Sequence, residues 1–305
     1  HHGRSDAVFL GECQAFGVNI LLGPGINIRR TPLAGRAYEY YAEDPVVTGD
    51  IAAAVINGMQ ENGVGASLKH FACNNSEVQR TTMSSEVEER ALREIYLAGF
   101  ERAIRKSNPW TVMSSYNRLN GVQAAENHWL LTEVLRDEWG YDGLVMSDWH
   151  GIKDRPASMN AGNDLDMPES GARKQELFDA VEAGRVPQAA LDRACLRVLK
   201  LVRTARNGIK PNATADYKRH HALAQRMAAE SIVLLKNDGA LLPLDGGKLT
   251  RIAVVGAAAK EPVIQGSGCA TTRPTDVDIP FEEIRLMAPG ATLSFHAVAD
   301  FEAGS

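Results

Sequence analysis

Gly143-Leu144-Val145-Met146-Ser147-Asp148-Trp149 is a short apolar run that breaks off into a serine, a carboxylate and an indole. The same design recurs on both sides of it. Upstream, Val18 to Leu22 is closed by the turn Gly23-Pro24-Gly25, Ala66-Ser67-Leu68 ends in Lys69-His70, and Thr111-Val112-Met113 ends in Ser114-Ser115-Tyr116-Asn117. Downstream, Asp164-Leu165-Asp166-Met167 is a weaker fifth run. Amphipathic stretches separate these runs, from about Val46 to Glu61, from Glu86 to Lys106 and from Trp129 to Glu138, with Gly140 as a C-terminal cap. In the second stretch Val87, Ala91, Ile95, Gly99 and Ala103 recur every fourth residue, which predicts one helix face. Pro187 opens a further helix carrying Leu191, Cys195, Val198 and Val202, since a proline at the first helical turn sacrifices no hydrogen bond.

Strands alternating with helices predict an α/β fold with a parallel sheet and helical crossovers. Polar residues gathered at the C-terminal ends of the strands fit a (β/α) barrel, which places its chemistry there. Five strands are legible, so the expectation is an incomplete (β/α)8 TIM-like barrel over residues 1–211, with part of the deficit lying before residue 1. The pattern breaks near Asn207 to Ala215, where Gly208, Pro211 and Asn212 interrupt the helix. A helix from about Tyr217 to Glu230 and buried strands at Ile232–Leu235 and Ile252–Val255, with the turn Asn237-Asp238-Gly239 between them, predict a second unit. Residues 212–305 are thus expected to form a linker and the N-terminal part of an α/β sandwich.

Composition narrows the function classes. With 44% hydrophobic and 23% charged residues in 305, the chain has the material for a core and no disorder signature. A net charge of -5 argues against nucleic acid or an anionic membrane as the partner. No apolar run is long enough to span a bilayer. Four separated cysteines, Cys13, Cys73, Cys195 and Cys269, form no CxxC pair and are read as free, mostly buried thiols, which favours a reducing, cytoplasmic compartment. A segment preceding residue 1 would decide the localisation, and His1-His2 is either native or a scar. Metal-ligand spacing is absent, Gly256-Ala257-Ala258 lacks the dinucleotide fingerprint, and Gly266-Ser267-Gly268 reads as a loop. The triplets Asn74-Asn75-Ser76 and Asn212-Ala213-Thr214 match a glycosylation pattern that is common by chance.

If the barrel forms, Lys69-His70, Ser115-Tyr116, Asp148 and Asp166 converge, with Arg36 as a further cation. Lysine, histidine and arginine would hold a carboxylate in its charged form and could also bind several hydroxyls of one sugar. An ionised, fixed Asp148 suits nucleophilic attack at an anomeric carbon, with Trp149 as a flat face for the ring. Each residue alone has a plainer reading: Asp148 as a helix N-cap, Lys69-His70 as a surface pair, Trp149 as core, Asp166 as structural. Glu39, Glu43 and Asp44 read as a polar loop.

Taken together the runs resemble glycoside hydrolase family 3, the two-domain β-glucosidase type. The resemblance rests on Gly17-Val18-Asn19-Ile20-Leu21-Leu22-Gly23-Pro24-Gly25-Ile26-Asn27-Ile28, on Pro32-Leu33-Ala34-Gly35-Arg36 with Tyr38-Glu39-Tyr40 and Glu43-Asp44-Pro45, and on Lys69-His70-Phe71-Ala72-Cys73-Asn74-Asn75. It continues through Glu89-Arg90-Ala91-Leu92-Arg93-Glu94-Ile95-Tyr96, Val112-Met113-Ser114-Ser115-Tyr116-Asn117, Ser147-Asp148-Trp149 and Ala229-Glu230-Ser231-Ile232-Val233-Leu234-Leu235-Lys236-Asn237. The resemblance implies that Asp148 is the nucleophile of a retaining, exo-acting β-glycosidase. It further implies that Arg36, Lys69, His70, Met113, Tyr116 and Trp149 bind the sugar, and that no cofactor or metal is needed. The implied substrate is a β-glucoside or oligosaccharide; a homo-oligomer is compatible with the sequence. The family's acid/base glutamate comes from the second domain and is expected beyond Ser305, and its early sugar-gripping aspartate before residue 1. The rival readings are a non-catalytic carbohydrate-binding fragment, a β-xylosidase of the same family, and a barrel aldolase with Lys69 as its Schiff-base lysine.

Overall fold

The computed structural model describes residues 6–266 and 271–298; His1-His2, Ser267-Gly268 and Cys269 lie outside them. The chain divides into two units, residues 1–216 and 217–305. In the first, α1 (Asp6–Ala15) leads to β1 (Ile20–Leu21), and α2 (Pro45–Glu61) to β2 (Gly65–Phe71). After β3 (Ser84–Ser85), a helical run made of α3 (Glu89–Ala91), a π-helical stretch (Leu92–Tyr96) and α4 (Ala98–Ser107) leads to β4 (Thr111–Ser114). β5 (Arg118–Leu119) and β6 (Val122–Gln123) join β3 in a small sheet. A second π-helix (Trp129–Glu138) leads to β7 (Leu144–Ser147), and α5 (Arg155–Ala161), α6 (Gly171–Glu182) and α7 (Gln188–Gly208) follow.

The apolar runs are the strands of one parallel sheet in the order β1-β2-β4-β7. Asp164-Leu165-Asp166-Met167 adds a single bridge, Met146 to Leu165, rather than a strand. Among the described residues the sheet stays open and does not close into a barrel. Every residue of β4 and β7 is buried, as expected for parallel strands covered on both faces. On one face Leu68, Phe71, Val112 and Val145 meet the helices through Ile56, Phe100, Leu131, Leu135 and Trp139. Phe71 packs edge-on against Phe100 and Trp139, with ring centroids 5.2 and 5.7 Å apart. On the other face Met113, Leu144 and Met146 meet Leu22, Leu165, Met167, Val198 and Leu201.

Helix boundaries follow local chemistry. Asp44 accepts from the N–H groups of Val46 (2.6 Å) and Val47 (3.1 Å), with Pro45 in the first turn of α2, so this residue of the expected polar loop is a helix cap. Asp154 caps α5 through the N–H of Ala157 at 2.8 Å. Close helix packing needs Gly49: a Cβ there would sit 2.9 Å from the Gly99 carbonyl oxygen on α4.

Three expectations are corrected. The π-turn at Leu92–Tyr96, where Leu97 N–H reaches back to the Leu92 carbonyl, moves the helix face off the four-residue period. Leu92, Leu97, Phe100, Ala103 and Ile104 therefore face the core, while Ile95 is 40% exposed. On α7 Ala190, Ala194 and Ala205 are buried and Leu191, Val198 and Leu201 pack inward, whereas Cys195 and Val202 of the expected face point out; among the described cysteines Cys13 and Cys73 are buried and Cys195 is exposed. In the second unit, α8 (Tyr217–Ser231) is followed by an irregular, exposed Ile232–Leu235 segment instead of a buried strand. The pairing there is β8 (Arg251–Val255) with β9 (Thr292–His296), in parallel, with α9 (Pro280–Met287) before β9. Apolar residues form a strand only where a neighbour accepts their backbone hydrogen bonds, and none among the described residues pairs with Ile232–Leu235.

Candidate active site

The parallel register brings the polar ends of β2, β4 and β7 side by side. Ser114 pairs with Ser147, Phe71 pairs with Ser114, and the next backbone bonds run from Ser115 N–H to the Phe71 carbonyl (2.8 Å) and from Asp148 N–H to the Ser114 carbonyl (3.1 Å). Asp148 is therefore the first residue beyond β7. It caps no helix: the helix that follows begins at Arg155 and is capped by Asp154.

The Asp148 side chain is buried. Its Oδ1 accepts the Trp149 N–H at 2.7 Å, whereas Oδ2 is buried with no donor at hydrogen-bonding geometry. Facing Oδ2, at 3.6 Å, is His70 Nε2. That separation is too long for a good hydrogen bond, and His70 is only 1% exposed. Burial first, and then the positive charges of Arg36, Lys69 and Arg80, push the His70 pKa well below the ordinary histidine range. The imidazole is thus neutral, and its contact with Asp148 is that of a dipole with a carboxylate rather than an ion pair. Tyr40 Oη lies 3.4 Å from His70 Nδ1, and the two rings meet edge-on.

Tyr116 feels the same carboxylate. Burial, then the Asp148 charge and a polar contact with it, raise the phenol to about 12. The Arg80 guanidinium stacks 4.2 Å from the Tyr116 ring centroid and pairs with Glu77 at 3.1 Å. Arg36 pairs with Glu39, and Lys69 Nζ lies 4.0 Å from the other oxygen of the same carboxylate. Burial works against the Arg36 charge, but the hydrogen bond to Glu39 and the nearby Tyr40, Glu39 and Glu77 more than offset it, holding its pKa above the usual value. Trp149, next to Asp148 in the chain, is 39% exposed.

Of the residues read from the sequence, Arg36 and Lys69 meet at Glu39, and His70, Tyr116 and Trp149 gather around Asp148. Met113 sits deeper along β4, in the apolar cluster with Leu144 and Met146. Asp166 is ion-paired with Arg173 at 2.6 Å. Asn27, Glu39, Tyr40, Glu77 and Arg80 also build the site. The Arg36–Glu39 and Glu77–Arg80 pairs are both spaced i, i+3, one helical turn, which is a signal the sequence carries. A cavity of about 450 Å3 between the second π-helix, α5 and α7 has a lining separate from this cluster, including Thr132, Arg136, Asn160 and Arg197. Among the described residues no group of three histidine, cysteine or acidic side chains is arranged to hold a metal, and no helix is long and apolar enough to cross a membrane. Chemically, the arrangement sets a buried carboxylate, one oxygen of which has no hydrogen-bond donor, beside a neutral imidazole, with the charges of Arg36, Lys69 and Arg80 near enough to act on that imidazole.

A neutral buried histidine has a measurable consequence. Unfolded, His70 titrates near 6.5; folded, well below it. Between the two values the unfolded chain binds the additional proton, so the stability present above the unfolded value is lost as pH falls. The slope contributed by His70 should approach about 1.4 kcal/mol per pH unit below roughly pH 6.5. Chemical denaturation of His70→Gln should show a flatter acid limb; an unchanged limb would mean that folded His70 is already protonated.

The parallel strands thus gather a buried carboxylate and several cationic side chains at their C-terminal ends. Residues 7–201 match the glycosyl hydrolase family 3 N terminal domain and residues 232–303 the glycosyl hydrolase family 3 C-terminal domain. The chain belongs to glycosyl hydrolase family 3. It is 50% identical over 283 residues to thermostable beta-glucosidase B of Acetivibrio thermocellus, covering 92% of this chain and 37% of that protein. It is 47% identical over 272 residues to the exo-alpha-(1->6)-L-arabinopyranosidase of Bifidobacterium breve, covering 87% and 36%. Its fold matches the structure of beta-glucosidase 3B from Thermotoga neapolitana in complex with glucose, with a TM-score of 0.88, 38% identity, and coverage of 96% of this chain and 42% of that one. The chain thus spans little more than a third of the length of the curated relatives.

Proposed function

We propose that the protein carrying this sequence is a retaining, exo-acting β-glycosidase acting on terminal β-D-glucosyl residues. The observation that carries the reading is Asp148: one oxygen is anchored on the Trp149 N–H and the other is buried with no donor at hydrogen-bonding geometry, facing neutral His70 at 3.6 Å. In the proposed reaction Asp148 Oδ2 attacks the anomeric carbon as the bond to the leaving oxygen breaks, forming a glycosyl ester. A second carboxyl, about 5–5.5 Å away in retaining enzymes, protonates the leaving oxygen and then deprotonates the water that opens the ester. By family resemblance that group is a glutamate of the second domain, and no residue of this chain is given the role. Arg36, Lys69 and His70 bind hydroxyls of the sugar, Tyr116 and Met113 line the pocket, and Trp149 forms its wall. The chemistry uses no cofactor. Residues 1–211 are the catalytic part and residues 212–305 the entry into the second domain. The partner is a small glycoside or oligosaccharide rather than nucleic acid or membrane, consistent with the net charge of -5.

The arabinopyranosidase relative favours a second reading for the sugar, an α-L-arabinopyranoside, a ring that lacks the exocyclic carbon of a hexose. Both readings share the nucleophile. The test is hydrolysis of aryl β-D-glucoside, β-D-xyloside and α-L-arabinopyranoside by the longest natural chain carrying this sequence, with the first-formed anomer read by NMR. Preferred cleavage of the glucoside with retained configuration is expected. Preferred cleavage of the arabinoside replaces the sugar assignment, inverted product rejects the mechanism, and no cleavage of any of the three rejects the enzyme.

A further inference from the structure

We propose that Asn27 is the positioning residue for His70, locking its backbone so that the imidazole stays in line with Asp148. The inference rests on the glycosidase reading of the site. The segment after β1 runs alongside β2 and bonds to it through backbone: Lys69 N–H to the Pro24 carbonyl (3.0 Å) and Ile26 N–H to the Lys69 carbonyl (2.8 Å), with Gly25 bridging Lys69. On the other side of β2 the ladder to β4 skips a step: Leu68 pairs with Val112 and the next partners are Phe71 and Ser114, leaving Lys69 and His70 outside the register. At His70 a side chain supplies the missing pairing. Asn27 Oδ1 accepts the His70 N–H at 3.0 Å, and Asn27 Nδ2 donates to the His70 carbonyl at 2.9 Å. Asn27 is 2% exposed, so this amide has little freedom to give.

One planar amide thereby holds both polar atoms of the His70 main chain, which fixes the direction of its Cα–Cβ bond. The imidazole at the end of that bond stands 3.6 Å from the open oxygen of Asp148. Misplacement of a reacting-site group by about 1 Å can cost about 100-fold in rate, and a site needs its supporting contacts to hold it within about 0.5 Å. Leucine is close to asparagine in shape but offers neither hydrogen bond. Aspartate keeps the acceptor for the His70 N–H but sets an acceptor against the His70 carbonyl.

The experiment is a double-mutant cycle in the longest natural chain, using 2,4-dinitrophenyl β-D-glucoside as the probe. Asn27→Leu should lower kcat/KM about 100-fold and Asn27→Asp about 10-fold. In a His70→Ala background both changes should cost less than about threefold, because the residue they act through is gone. If Asn27→Leu does not fold, the Asn27→Asp arm decides alone. Losses that persist undiminished beside His70→Ala, or an Asn27→Asp protein within about threefold of the parent, overturn the positioning role while the parent's own turnover leaves the glycosidase reading standing. A parent with no turnover on the probe takes down both.

Discussion

Asp148→Asn should lower kcat/KM on aryl β-glucosides by about 10^4-fold or more, close to 5.5 kcal/mol of transition-state stabilisation. The amide is nearly the shape of the carboxylate but cannot form the glycosyl ester. Fold and catalysis should separate here. Asp148 keeps a buried oxygen without a donor, an arrangement that costs stability and persists at functional sites for chemical reasons. The variant's thermal midpoint should therefore equal or exceed the parent's. A midpoint well below the parent's would make Asp148 a structural residue, and a loss of activity under tenfold would remove it from the chemistry.

The largest effect on stability is expected at Asp164→Ala. This side chain is 2% exposed, and both its oxygens are engaged. Oδ2 accepts from Arg136 Nη2 (2.8 Å) and from the Val145 N–H (2.9 Å), and Oδ1 accepts from Arg197 Nη1 (2.8 Å). One carboxylate thus joins the second π-helix, β7 and α7. Burial already lowers the Arg136 pKa against its ordinary value, and the charge of Asp164 is the strongest force opposing that. Removing it leaves a buried guanidinium uncompensated, which costs about 3–5 kcal/mol. In a unit of this size that corresponds to a fall of roughly 10 °C in melting temperature. Calorimetry would check it; a shift under about 2 °C would show that the arginines find other compensation.

Much of this was readable from the residues. Short apolar runs that end in polar residues force a parallel, doubly covered sheet, and the parallel register then places Lys69-His70, Ser115-Tyr116 and Asp148 side by side. What escaped the reading has physical causes. A π-turn at Leu92–Tyr96 has no simple residue signature, so the buried face it creates was misplaced at Ile95. Asn27 carries no local signal of a role, because its partner His70 lies on a strand 43 residues away. Glu39 read as loop although its spacing from Arg36 was visible. Ile232–Leu235 has every local mark of a buried strand, yet strand formation depends on neighbours that the segment itself does not specify.

Covalent trapping tests the central assignment most directly. The longest natural chain should be incubated with a 2-deoxy-2-fluoro β-glucoside bearing a good leaving group, then digested and weighed by mass spectrometry. Attack by Asp148 predicts a stoichiometric 2-fluoroglucosyl adduct on the peptide containing Ser147-Asp148-Trp149, absent from Asp148→Asn. An adduct on any other peptide, or turnover of the parent with no adduct at all, would contradict it.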